Sequence, residues 1–144
     1  MSKHNTKLYH ALPTAGHKHN QYCGPAALAA FTGLTTGDSA ALLRGVSGKR
    51  SIRGTSDDAM LDALETCGMG LMNSERFYPH RRMTLNNWLR QHYDGNASLV
   101  SAGHHWLAFQ GECFVDSFFR LPTPVDKVHM KRAQVREVYH LCYE

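Results

Sequence analysis

No apolar run in this chain approaches the ~18 residues that a membrane-spanning helix needs, so a span of that kind is excluded. The opening MSKHNTKLYHALPTAGHKHN is polar and rich in histidine. It lacks the continuous apolar core of a secretory signal, and the expected location is therefore cytoplasmic. The four cysteines (Cys23, Cys67, Cys113, Cys142) contain no CxxC pair. Without an export signal they do not read as a disulfide framework, which leaves room for one reactive thiol among inert ones. There is no His-x-x-x-His spacing, no internal repeat, no low-complexity tract and no linker. Charge of one sign is also scarce: sixteen Lys and Arg against twelve Asp and Glu give +4. The basic groups Lys49–Arg53, His80–Arg82 and Lys127–Arg132 are poorly interleaved with aromatics, so they read as solvated surface with no specific nucleic-acid role.

What is present has a globular balance, with 42% apolar and 19% charged residues among 144, a length suited to one domain. Residues 1–16 read as an irregular arm of that single domain, 1–144. A helix is predicted from Cys23 or Gly24 through Phe31, because Pro25 suits a first helical turn and the alanines have high helix propensity. A second is predicted from Asp38 to Arg44 with Gly45 following, and Gly45–Gly54 then reads as a loop. Ser56 should cap a third helix that ends at Gly68, with Met60, Leu61 and Leu64 on one face. A short strand is expected within 69–78. Thr84 should cap a further helix carrying Leu85, Trp88 and Leu89 inward. Four later runs are rich in the β-branched, aromatic and alternating residues of strands: Ala97–Ala102, His105–Phe109, Cys113–Phe119 and Gln134–Tyr143. Gly111 makes a hairpin of the second and third. Helices first and an antiparallel sheet afterwards define an α+β arrangement.

One cysteine stands in a setting unlike the other three. Cys23 lies within Asn20-Gln21-Tyr22-Cys23-Gly24-Pro25-Ala26-Ala27-Leu28, at the start of the alanine-rich helix. The positive end of a helix favours thiolate, the nucleophilic form, and its unpaired N–H groups suit a developing oxyanion. A nucleophile of this kind needs a base and a group that orients the base. His105 on one hairpin strand and Asp116 on the next offer an imidazole and a carboxylate side by side across the ladder.

The order of these residues resembles the papain-like cysteine peptidases, which carry a cysteine at a helix start, then a histidine and an aspartate on late strands. The CGPAAL segment, the His-Trp-Leu strand and the Asp-Ser strand look most like the branch that processes bacteriocin leaders at double-glycine sites, with its compact phage and bacterial relatives. Gly54-Thr55-Ser56 fits a glycine-serine junction found in that branch. The resemblance covers roughly residues 17–118. It implies a papain-like fold, an N-terminal helical layer on a C-terminal antiparallel sheet, and hydrolysis of a peptide or isopeptide bond through a thioester. It also implies catalytic roles for Cys23, His105 and Asp116, with no metal and no organic cofactor. The implied partner is a peptide or protein substrate or a peptidoglycan cross-link. One departure stands out: the family's oxyanion glutamine sits about six residues before the cysteine, where this chain has His17. Gln21 with the Cys23 backbone amide, His17 or Asn20 are the alternatives for that role.

Each residue also has a plainer reading. Cys23 can pack a helix start as a small apolar residue, His105 can be a satisfied sheet residue, and Asp116 can close a turn. His104 competes with His105 but falls on the opposite strand face. A metal cluster of His17, His19, Cys23, His104 and His105 has no supporting spacing. Two other functions stand against hydrolysis. One is acyl transfer on the same trio of residues; the other is a non-catalytic scaffold with an assembly or virion partner.

Overall fold

The computed structural model describes residues 23–50, 55–119 and 121–143. The expected N-terminal arm, Asn20, Gln21, His17 and Gly54 lie outside them. Helix α1 (Cys23–Thr32) begins at the cysteine, and all of its residues through Phe31 are buried. Helix α2 (Thr36–Ser47) is longer than the sequence suggested. It starts before Asp38, and Thr35 caps it, accepting from the Asp38 N–H at 2.9 Å. Gly45 lies inside the helix, and Gly48, at φ 70°, turns the chain out with its N–H on the Arg44 carbonyl. The helix runs on to Ser47 because an interior glycine costs only ~1 kcal/mol, whereas the left-handed cap favours a glycine, which Gly48 supplies. Helix α3 (Asp57–Thr66) is capped by Ser56 as expected, and α4 (Leu85–Gln91) by Thr84.

Among the described residues, six strands form one antiparallel sheet in the order β1-β6-β2-β3-β4-β5. They are β1 (Met69–Arg76), β2 (Ser98–Ala102), β3 (His105–Gln110), β4 (Cys113–Val115), β5 (Thr123–Pro124) and β6 (Val135–Tyr143). β5 and the 3-10 turn that follows it (Val125–Lys127) have no counterpart in the sequence reading. β4 stops at Val115, three residues long, where a strand to Phe119 was expected. Asp116 ends it by folding its carboxylate back onto its own loop: Oδ1 accepts from the N–H groups of Phe118 at 3.0 Å and Phe119 at 2.8 Å.

Alternation along the strands splits the core in two. Leu99, Trp106, Ala108, Val115, Tyr139 and Leu141 face α1, α2 and α3. Val100, Leu107, Phe109, Phe114 and Val138 face the opposite way, onto Leu85 and Trp88 of α4. The helical layer predicted for the N-terminal half therefore covers one face, and α4 covers the other. Nothing in a single helix's sequence pattern says which face of a sheet it will take.

Candidate active site

Cys23 is the first residue of α1, so it sits where the helix exposes N–H groups without intrahelical partners. It is 6% exposed. The segment before α3 crosses close by. A Cβ on Gly24 would lie 2.9 Å from the Thr55 Cβ and would overlap the Thr55 hydroxyl, so glycine is needed there for the two segments to approach. Thr55 is fixed in turn by its carbonyl, which accepts from the Trp106 Nε1–H at 3.1 Å.

His105 opens β3 and pairs with Ala102 at the end of the ladder. It shares its parity with Leu107 and Phe109, which point toward α4, yet it hydrogen-bonds to Cys23 on the α1 side. A ring in mid-strand would be confined to one face; one at the end of a strand can reach past the sheet. On its other side His105 Nε2 lies 3.0 Å from Asp116 Oδ2, which leaves Nδ1 toward the thiol. The expected cross-ladder placement of Asp116 is corrected. Ala108 pairs with Val115, so the carboxylate comes from the bend beyond β4 and meets the ring diagonally.

Burial by itself would push the His105 pKa down. Hydrogen bonds to Asp116 and Cys23, and the negative charge of both, outweigh it and hold the ring up at about 9, against 6.5 ordinarily. Burial likewise opposes ionisation of Asp116. Hydrogen bonds from His105, His129 and the Phe119 N–H, with the charge on His105, keep its carboxyl below the usual range. Asp116 has no exposed surface, and an anion there depends on these donors.

His129 is the residue that sequence reasoning missed. Its Nε2 lies 2.6 Å from the same Asp116 Oδ2. It follows the 3-10 turn, in the Lys127–Arg132 group that reads as solvated surface, and no spacing relates it to the hairpin. Only its place among ten histidines could have marked it. The ligand atoms of His105, Asp116 and His129 lie within 4.8 Å of one another, a grouping with the composition of a metal site. Both rings, however, converge on one oxygen while two backbone amides hold the other. That geometry suits protons shared with a carboxylate better than an ion between the three.

Cys23 also lines a polar cavity of about 200 Å3, together with Thr55, Asp57, Ser101, His104, Trp106, Arg136 and Glu137. His104, at φ 61° in the β2–β3 turn, is exposed and has Nδ1 3.2 Å from Arg136 Nη1. It is thus a cavity-wall residue and not the partner of the thiol. Asp57 accepts a hydrogen bond from the Tyr139 hydroxyl. Cys67, Cys113 and Cys142 are free thiols elsewhere in the fold.

Among the described residues, four helices and a six-stranded antiparallel sheet, with a cysteine heading the first of these helices and a histidine opening a strand beside it, make up the papain-like cysteine peptidase fold. No family model and no curated protein matches the sequence. Among solved structures, the chain is similar to a double glycine motif protease from an AMS/PCAT transporter, crystallised in complex with the leader peptide. The two overlay with a TM-score of 0.54 at 14% sequence identity, over 97% of this chain and 96% of that one. At that identity the likeness is one of fold.

Proposed function

We propose that this protein is a cysteine peptidase acting on a peptide segment through Cys23, His105 and Asp116. The observation that carries the reading is the hydrogen-bonded series from the Cys23 thiol at the head of α1, through the buried His105 ring, to the ionised Asp116. With its pKa near 9, His105 holds a proton at neutral pH, and the sulfur relieved of that proton attacks a carbonyl carbon. The tetrahedral oxyanion forms at the N-terminus of α1, where the Cys23 N–H is a donor; the expected second donor, Gln21, lies outside the described residues. Imidazolium then protonates the leaving amine, and water, deprotonated by the neutral ring, releases the acid from the thioester. Asp116 keeps the ring oriented and compensates its charge throughout.

A peptide is favoured as substrate on two grounds. The cavity beside the sulfur is open and polar, and the similar double glycine motif protease was crystallised with a leader peptide. No step calls for a metal or an organic cofactor. The test is thiol reactivity followed by cleavage. Near neutral pH, iodoacetamide should label Cys23 well ahead of Cys67, Cys113 and Cys142, although Cys23 is the most buried of the four. A peptide library should yield products that Cys23→Ala abolishes. Slow, equal labelling of all four thiols with no cleavage would overturn the proposal in favour of a scaffold. Incubation with an added amine separates hydrolysis from acyl transfer by the product formed.

A further inference from the structure

The carboxylate of Asp116 serves two imidazoles. Oδ2 meets His105 Nε2 at 3.0 Å and His129 Nε2 at 2.6 Å, while Oδ1 takes the Phe118 and Phe119 amides. All four acceptor positions of a fully buried anion are filled, and the shorter of the two ring contacts belongs to His129. A carboxylate only accepts, so each ring must present an Nε2–H to it. Rings from the Asp116 loop hold His129 in place: Phe118 and Phe119 both lie 5.2 Å from it, centroid to centroid. Its side chain is 31% exposed, against 7% for His105, so it stands between the buried pair and water.

We infer that His129 is a positioning residue for the Cys23–His105–Asp116 site, sharing the Asp116 charge so that His105 does not carry it alone. This inference deepens the peptidase reading and rests on it for its kinetic consequence. The groups acting on the His105 ring are Cys23 from α1, Asp116 from the loop after β4 and, through that carboxylate, His129 from the segment before β6. Removing the His129 donor makes Asp116 a stronger acceptor for the remaining ring proton. The sign is the same whether His129 is neutral or cationic, because either form stabilises the anion. His105 then keeps its proton more tightly and gives it less readily to the leaving amine.

The experiment compares the unmodified protein with His129→Phe, which keeps an aromatic ring between Phe118 and Phe119, and His129→Gln, which restores an N–H near the position of Nε2. His105 is followed by NMR titration of its ring signals, assigned with a His105→Gln control. In His129→Phe the midpoint should rise by ~1 unit. Its kcat should fall about 10-fold, a fraction of the ~10²–10⁴ that acid–base catalysis supplies, with KM little changed. His129→Gln should restore both. If His129→Phe fails to fold, His129→Asn, whose shorter amide cannot reach Oδ2, takes its place. An unmoved His105 midpoint in the folded variant, or equal impairment in the Phe and Gln variants, overturns the inference. The titration needs no substrate. Absence of cleavage in the unmodified protein would therefore count against the peptidase reading alone, and the midpoint would still decide the place of His129.

Discussion

At the scale of single residues, the site is a problem of keeping charges out of water. Asp116 is an anion without exposed surface, and it remains one because two imidazoles and two amides replace its hydration. That arrangement fixes a pH signature. Activity that needs protonated His105 should decline on the alkaline side of a kcat/KM profile with an apparent pKa near 9. Asp116→Asn removes the carboxylate whose hydrogen bond is the largest single influence raising the ring, so the alkaline limb should move to lower pH, accompanied by a large loss of kcat. An unshifted limb would mean that another group controls it. Stability follows the same signs. The His105 contribution is complete below its unfolded value of about 6.5 and is lost as pH rises through about 9. The Asp116 contribution is present above ~3.9 and is lost as pH falls through its depressed value.

At the scale of elements, the short segments do the positioning. The head of α1 approaches the segment before α3 so closely that only glycine fits at position 24. Gly24→Ala should destabilise the protein by ~1–3 kcal/mol through overlap with Thr55, despite the better helix propensity of alanine. Thermal unfolding checks this. Thr55→Gly in the same chain should recover much of the loss, and no loss at all would show that Thr55 yields freely. Helix caps at Ser56 and Thr84 were legible because side-chain capping is a local interaction, complete within four residues. The end of β4 was not. Apolar and aromatic residues continue to Phe119 in the sequence, and the Asp116 carboxylate turning onto its own loop amides halts the strand.

At the scale of the molecule, one sheet separates two apolar layers, and Cys23 belongs to only one of them. Phe109 is fully buried on the α4 side, with the Trp88, Tyr93 and Phe114 rings at 5.8–5.9 Å from its own. Phe109→Ala should cost about 3–5 kcal/mol in urea unfolding, a large share of the ~5–15 kcal/mol typical of a domain. The remaining folded fraction should alkylate Cys23 at the original rate, because α1 packs on the other face. A strong fall in that rate would show the two layers to be coupled through the sheet.

The sequence by itself determined the helix that begins at Cys23, the caps at Ser56 and Thr84, the hairpin and the order cysteine, histidine, aspartate. These follow from propensity, periodicity and turn chemistry, all of which act between neighbours along the chain. Tertiary structure alone decided that the His105 ring passes the end of the sheet to reach α1, and that α4 takes the opposite face. It also decided that His129, thirteen residues beyond Asp116, closes on the same carboxylate. Each of these depends on where separate elements come to lie when apolar faces are buried and a buried charge gathers its donors. Residue spacing along one strand or helix carries no record of such meetings.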